Sequence, residues 1–207
     1  MLNNMLQTLR YKNKYRVSSA RLRGYDYSQN GFYFITICAK NRIECFGKVR
    51  KNEMILSPLG CTADECWRAI PNHFPFVRLD AYIVMPNHAH GILEICNDKN
   101  DDATHRRDAK FCVSTVHTTH ANHVNDMDEP YKNKFGPQSK NISSIIRGFK
   151  MGVTKYARQN HIPFAWQERF YDHIIRKEIV LHKIRQYIIE NPSKWWRDRN
   201  NQVNIYM

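Results

Sequence analysis

The sequence lacks two features that define large classes of protein. No stretch approaches the roughly 20 consecutive apolar residues that a membrane-spanning helix needs, so we expect no membrane partner. The six cysteines form no CxxC pair, and the spacing of Cys61 and Cys66 fits no common zinc-binding motif. A secretory signal peptide is not recognisable either, so we expect the thiols to be reduced.

Acidic residues are scarce, since 19 Asp and Glu stand against 32 Lys and Arg, and the formal net charge is +13. Such an excess attracts polyanions through counterion release, which makes nucleic acid the first candidate partner. A ribosomal protein or a protein on a membrane surface would share this charge, so the charge indicates the class of partner and leaves the activity open. We expect a cytoplasmic, nucleoid-associated protein.

The length of 207 residues and a hydrophobic content of 42% suit a single domain over 1–207. Residues 1–30 mix Lys and Arg with Tyr and predict a basic arm. Residues 97–134 are rich in Asn, Asp, Lys, Thr and His and predict a polar insertion or mobile loop. Its histidines could suggest a second metal site, which we disfavour because ligand geometry requires an ordered segment; they are His105, His117, His120 and His123.

Apolar periodicity predicts seven elements in the remaining sequence. They are a strand at 31–38, a helix at 57–70, strands at 77–84 and 88–96, a helix that Asn141 caps, an extended stretch at 166–176 and a helix at 177–191. This order is the split βαβ arrangement of ferredoxin-like domains with one extra C-terminal helix. We therefore predict an α+β fold with a central antiparallel sheet.

The hexapeptide Pro86-Asn87-His88-Ala89-His90-Gly91 joins two of the predicted strands. Side chains on a strand repeat with period two, so His88 and His90 point to the same face and could bind one metal ion together. Two histidines on the surface of a strand are the alternative interpretation, and the spacing alone does not separate the two.

The last predicted helix places Tyr187 and Asn191 one turn apart on one face. A tyrosine in such a position is usually a core aromatic, and an asparagine before proline is usually a helix end-cap. The functional interpretation is that both project into one cleft near the hairpin, where the amide completes a metal site with His88 and His90.

The helix that follows Asn141 carries an apolar stripe on one side and basic residues on the others. A solvated basic face is one interpretation, and contact with nucleic-acid phosphates is the one we prefer given the net charge. These basic residues are Arg147, Lys150, Lys155 and Arg158.

Several motifs, in their order along the chain, resemble those of the REP-associated tyrosine transposases, which are single-tyrosine members of the HUH endonuclease superfamily. The resemblance extends from the arm to Pro192. The motifs are Gly24-Tyr25-Asp26-Tyr27, Phe34-Ile35-Thr36-Ile37-Cys38, Met85-Pro86-Asn87-His88-Ala89-His90-Gly91, Phe135-Gly136-Pro137-Gln138-Ser139, Trp166-Gln167-Glu168-Arg169-Phe170 and Tyr187-Ile188-Ile189-Glu190-Asn191-Pro192.

The resemblance implies roles for individual residues. His88 and His90 match the HUH pair that holds Mg²⁺ or Mn²⁺, Asn191 matches the third ligand, and Tyr187 matches the nucleophile. Insertion-sequence relatives often carry glutamine at the third-ligand position, where this chain has the shorter asparagine. Basic residues of the arm, such as Arg21 and Arg23, match regions that hold hairpin DNA.

The implied activity is that of a metal-dependent single-strand DNA endonuclease and strand transferase, which acts next to DNA hairpins through a 5′-phosphotyrosine intermediate. A hairpin-binding protein without catalysis is the alternative from another class. A replication initiator or plasmid relaxase shares the metal pair but often uses paired tyrosines, which the last helix lacks. Insertion-sequence relatives are dimers, so a homodimer is possible.

Overall fold

The computed structural model describes residues 21–22, 24–97 and 140–201. The strands are β1 (Gly31–Cys38), β2 (Gly47–Arg50), β3 (Glu53–Leu56), β4 (Val77–Met85), β5 (His88–Ile95) and β6 (Tyr171–Ile175). The helices are α1 (Pro58–Arg68), α2 (Ile70–His73), α3 (Ile142–Gln159) and α4 (Glu178–Glu190), with 3₁₀ helices at Lys40–Arg42 and Pro192–Arg197.

The central sheet has the strand order β4-β5-β1-β6, and every neighbouring pair is antiparallel. Strands β1 and β4 are therefore parallel to each other with β5 between them, and α1 lies on the connection that joins them. Strands β5 and β6 are related in the same way around β1, and their connection contains α3. This topology confirms the predicted α+β fold with its split βαβ units.

The two faces of the sheet are covered by different helices, because successive side chains on a strand point to opposite sides. On one face, Tyr33, Ile35 and Leu93 belong to the core cluster that includes residues of α1 and α3. On the other, Phe34 and Ile92 pack with Leu181 and Ile188 of α4. We call these the α1/α3 face and the α4 face.

Helices α1 and α3 begin where the sequence predicts. The Ser57 side chain accepts a hydrogen bond from the Gly60 amide at 3.1 Å, and Pro58 occupies the first helical turn. Asn141 and Ser144 form a reciprocal capping box at the start of α3. The predicted apolar stripe of α3 is buried in the α1/α3 core, apart from the half-buried Tyr156.

The structure departs from the sequence prediction in two places. The hairpin of β2 and β3 was not predicted, because each strand has only four residues. The extended stretch predicted at 166–176 forms a strand only over Tyr171–Ile175, since Arg169 adopts a positive φ of 65° and interrupts it. Trp166 instead forms an isolated bridge with Ala39.

Some sequence predictions lie outside the described residues. These are most of the basic arm including Arg23, almost all of the 97–134 insertion with its four histidines, and the motif at 135–139. In the part of the chain that is described, no helix is both long enough and apolar enough to cross a membrane. The five cysteines described there are all free thiols.

Candidate metal and nucleophile site

The two histidines of β5 are completely enclosed on the α4 face of the sheet. His88 is 0% exposed and His90 is 1% exposed, and their ring centroids lie 4.4 Å apart. His90 Nδ1 lies 2.8 Å from Thr36 Oγ1. Thr36 is the residue of β1 that pairs with His90 in the sheet. The interpretation of these residues as surface histidines is therefore wrong, since both rings are buried, with Trp195 beside His88 and Tyr187 of α4 beside His90.

Asn87 fixes the protonation of His88. Its amide nitrogen donates to the carbonyls of Arg42 and Asn200 at 3.0 and 2.8 Å, which orients its oxygen toward His88 Nδ1 at 2.8 Å. An amide oxygen only accepts, so Nδ1 carries the ring proton and Nε2 keeps its lone pair. Among the described residues, His88 Nε2 has no hydrogen-bond partner although it is buried.

Both imidazoles are neutral at pH 7. Burial, followed by the positive charges of Arg42 and Arg199, lowers the pKa of His88 to about 3. Burial and the neighbouring His88 hold the pKa of His90 well below its ordinary value, although the Asp198 carboxylate opposes this. A neutral imidazole is the form that binds a metal ion.

Helix α4 brings the phenol of Tyr187 to this pair. The core contacts of the helix come from Leu181 and Ile188, whereas Tyr187 is 39% exposed. Its hydroxyl lies 3.1 Å from His90 Nε2 and donates to Asp198 Oδ2 at 3.3 Å. Burial and then the charge of Asp198 raise the pKa of Tyr187 to about 12, so the hydroxyl is protonated. Tyr187 is thus not a core aromatic.

Asn191 follows the last residue of α4 and is 2% exposed. Its Nδ2 donates to Asp198 Oδ2 at 3.2 Å, while its Oδ1 is buried without a hydrogen-bond partner among the described residues. The site therefore presents two buried lone pairs without a partner, on His88 Nε2 and Asn191 Oδ1. Such atoms are costly to bury and fit a divalent cation, which accepts nitrogen and oxygen ligands.

Asp198 is the residue of this site that the sequence did not predict. The 3₁₀ helix Pro192–Arg197 leads the chain back to the histidines, and Asp198 is 8% exposed there. The ligand atoms of His88, His90 and Asp198 all lie within 4.8 Å of one another. No motif or periodicity points to a single aspartate in this polar stretch, so no sequence signal could have identified it.

Hydrogen bonds hold residues 198–200 next to the site. Arg42, in the 3₁₀ helix after β1, donates to the Asn200 side chain at 2.5 Å and to the Arg199 carbonyl at 3.2 Å. The Asp198 Oδ1 atom accepts from the Asn200 amide at 2.6 Å. We refer to residues 198–200 as the closing segment.

Comparisons of the sequence with known proteins find two similar proteins in Haemophilus influenzae. An uncharacterized Haemophilus influenzae protein is 40% identical over 182 residues, which are 87% of this chain and 91% of that protein, and the two belong to one family. Another H. influenzae protein, named "Putative REP-associated tyrosine transposase", is 25% identical over 169 residues, 82% of this chain and 74% of its own length. This chain is therefore similar in sequence to a protein named as a REP-associated tyrosine transposase.

The fold agrees with that relationship. The solved structure of a REP-associated tyrosine transposase bound to a REP hairpin matches 86% of this chain and 74% of its own, with a TM-score of 0.52 and 18% identity. No protein-family model matches the chain.

The four basic residues predicted on α3 line one groove of about 630 Å³, and Phe170 also lines it. The amine of Lys150 donates to the carbonyls of Gln167 and Arg169 at 2.9 and 2.6 Å. Burial lowers the pKa of this amine. Since α3 packs on the α1/α3 face, the sheet separates this groove from the histidines.

Arg21, predicted to bind DNA, lies next to the same groove. Its guanidinium stands 5.0 Å from the centroid of the Phe170 ring and 3.9 Å from the Asp172 carboxylate. It adds a positive charge beside the groove.

Proposed function

We propose that the protein is a metal-dependent single-strand DNA endonuclease and strand transferase that acts next to DNA hairpins through a 5′-phosphotyrosine intermediate. The observation that carries this proposal is the position of the Tyr187 hydroxyl, 3.1 Å from His90 Nε2. Tyr187 is 39% exposed, and its hydroxyl stands beside neutral, buried imidazoles. The nucleophile and the residues that could hold a cation therefore lie side by side, with Tyr187 as the exposed member of the group.

The residues that would hold the cation are His88, His90 and Asn191. Among the described residues, the lone pairs of His88 Nε2 and Asn191 Oδ1 have no hydrogen-bond partner, and His90 Nε2 lies 3.1 Å from the Tyr187 hydroxyl, which would be released for the reaction. Mg²⁺ or Mn²⁺ bound there would polarise a non-bridging phosphate oxygen and leave coordination positions open to the substrate.

Tyr187 would carry out the covalent step. A phenol with a pKa of about 12 is a weak nucleophile until its proton is removed. Its oxygen would form a bond to the phosphorus, the bond from phosphorus to the 3′ oxygen would break, and the released 3′ oxygen would take up a proton. The phosphodiester energy is kept in the tyrosine ester, so the reverse reaction joins strands without ATP.

Two observations support DNA as the partner: the positive charge of the chain, and the hairpin bound to a transposase of similar fold. The related transposase of known structure is bound to a REP hairpin. The formal net charge of +13 and the basic groove on α3 favour the same kind of partner here. The proposed DNA contacts are Arg21, Arg23, Arg147, Lys150, Lys155 and Arg158.

A covalent-capture assay tests the proposal. The full chain is incubated with Mn²⁺ and an end-labelled single strand that contains a repeat hairpin, and a protein–DNA adduct is sought on a denaturing gel. We expect the wild type to form the adduct and Tyr187→Phe to abolish it while hairpin binding persists. Tyr82→Phe is the matched control, because it removes a hydroxyl bonded to Asp64 on the α1/α3 face.

Two outcomes would contradict the proposal. An adduct that persists in Tyr187→Phe would show that another residue is the nucleophile. A wild-type protein that binds hairpins but never forms an adduct, under any divalent metal, would favour the hairpin-binding protein without catalysis.

A further inference from the structure

The cation site proposed above would contain only neutral ligands, two imidazoles and one amide. Hard divalent cations such as Mg²⁺ and Mn²⁺ prefer carboxylate oxygens. The surroundings are also unfavourable to a cation, because the positive charges of Arg42 and Arg199 act on His88. Three neutral ligands in a positive environment make a weak site.

Asp198 supplies the missing negative charge. Its ligand oxygen lies within 4.8 Å of the ligand nitrogens of both histidines. Ligands around a six-coordinate cation with bonds of roughly 2.1 Å stand about 3 to 4 Å apart, so side-chain atoms that lie this close together could share one cation. The carboxylate is nearly buried and cannot be screened well by solvent.

The two oxygens of Asp198 have different surroundings. Oδ1 is held by the backbone amide of Asn200 at 2.6 Å, inside the closing segment. Oδ2 accepts hydrogen bonds from Asn191 Nδ2 at 3.2 Å and from the Tyr187 hydroxyl at 3.3 Å. One oxygen thus anchors the side chain, and the other points toward the metal ligands and the nucleophile.

We propose that Asp198 is a fourth, anionic ligand of the cation held by His88, His90 and Asn191, an inference that rests on the proposed function. Asn191 then has two roles, since its oxygen faces the cation while its nitrogen orients the carboxylate. The proposal makes the metal affinity depend on a residue that lies beyond the recognised motifs.

A direct test measures the binding of Mn²⁺ alone to the full chain without DNA, by electron paramagnetic resonance of the free ion and by calorimetry. We expect Asp198→Asn, which keeps the size of the side chain and removes its charge, to weaken Mn²⁺ binding at least tenfold. Asp172→Asn is the matched control, because Asp172 is a buried carboxylate on the α1/α3 side of β6 beside Arg21. Its Mn²⁺ affinity should equal that of the wild type.

A second variant keeps the test decisive if Asp198→Asn fails to fold. Asp198→Cys offers a thiolate at the same position, and Co²⁺ bound by a thiolate gives a charge-transfer absorption band. We expect this band in the variant and not in the wild type titrated in the same way, although the wild type contains other free cysteines. Absence of the band would overturn the proposal.

Two other results would also overturn it, each by assigning Asp198 another role. If Asp198→Asn binds Mn²⁺ like the wild type but forms the DNA adduct more slowly, the carboxylate acts only on the Tyr187 proton. If the affinity is unchanged and adduct formation is faster, the closing segment only restrains the tyrosine. Neither result would affect the proposed function, which fails only if the wild type forms no adduct or Tyr187→Phe still forms one.

Discussion

Gly91 is the last residue of the histidine motif, and a side chain there would point to the α1/α3 face, opposite the histidines. A Cβ atom added there would lie 2.1 Å from Cζ2 of the Trp67 ring. Trp67 is buried in the α1/α3 core, where it also contacts Phe149 edge to face. The absence of a side chain at Gly91 therefore lets α1 lie close against the strand that carries both imidazoles.

We predict that Gly91→Ala destabilises the protein by about 1 to 3 kcal/mol, because the indole and β5 must separate. Chemical denaturation of the metal-free protein measures this. Gly148→Ala on α3 is the control, since its added Cβ would make an ordinary contact of 3.4 Å with Phe74. That substitution should be neutral or stabilising, by up to about 1 kcal/mol, because alanine favours helix. Equal losses in both variants would contradict the argument.

For single residues, the sequence predicts those site members whose positions follow from the periodicity of a strand or a helix. The period of a strand places His88 and His90 on one face, and the period of a helix places Tyr187 one turn before Asn191. Asp198 follows no such rule, since it meets the histidines only through the packing of α4 and the turn after it. A local sequence pattern does not predict contacts that depend on how distant elements pack.

At the scale of elements, α4 is fixed to the edge strand β4 by a paired charge contact. Arg185 donates to both oxygens of Asp80, with its Nε atom at 2.8 and 3.2 Å. Burial alone would raise the pKa of Asp80, but the hydrogen bonds from Arg185 and from the Ala81 amide outweigh it and lower the pKa. This contact helps to hold the helix that carries Tyr187 against the sheet.

The lowered pKa predicts a pH-dependent contribution to stability. Because the carboxyl binds its proton less readily in the folded state than in the unfolded state, its contribution is present above a pH of about 4 and is lost as the pH falls through the folded pKa. We expect Asp80→Asn to cost about 1 kcal/mol at neutral pH and less near pH 3.5, measured by urea unfolding. Glu65→Gln on the exposed side of α1 is the control, because it removes a carboxylate from the opposite face of the sheet to α4, and its cost at neutral pH should be within about 0.5 kcal/mol of zero. A cost for Asp80→Asn that stays constant with pH would count against the assigned cause.

The elements that the sequence missed are those with weak local signals. The β2–β3 hairpin has four residues per strand, and its turn at Lys51 and Asn52 uses positive φ angles of 49° and 65° without a glycine. The 3₁₀ helix after Pro192 is equally hard to predict, because proline ends α4 and leaves the following direction to tertiary contacts. Long periodic elements such as α3 were predicted well.

At the scale of the whole molecule, the distribution of charge sets the expected behaviour with DNA. The groove on α3 and the candidate metal and nucleophile site lie on opposite faces of the sheet. DNA that contacts both must pass around an edge of the sheet. A hairpin with an unpaired extension has two parts of suitable kind, a duplex for the basic groove and a flexible strand for the site. The possible homodimer stays a prediction that sedimentation of the purified chain can test.

We predict that Arg147→Gln combined with Lys155→Gln weakens hairpin binding and reduces the slope of log K against log salt by about 2, since each lost phosphate contact changes it by about 0.9. Fluorescence anisotropy at several salt concentrations measures both quantities. Lys48→Gln combined with Arg50→Gln removes the same charge from β2 and should leave the slope unchanged. An equal effect of both pairs would mean that the net charge, rather than the groove, determines binding.

The hydrogen bond from Asn87 to the carbonyl of Asn200 spans 113 positions of the chain. A polypeptide that stops short of residue 198 contains both imidazoles and the phenol but lacks the Asp198 carboxylate and the Asn200 carbonyl that accepts from Asn87. During synthesis the cavity therefore reaches its final form only after the ribosome has translated this late stretch. A premature stop codon between 192 and 198 would give a product in which every recognised motif is intact and the centre is incomplete.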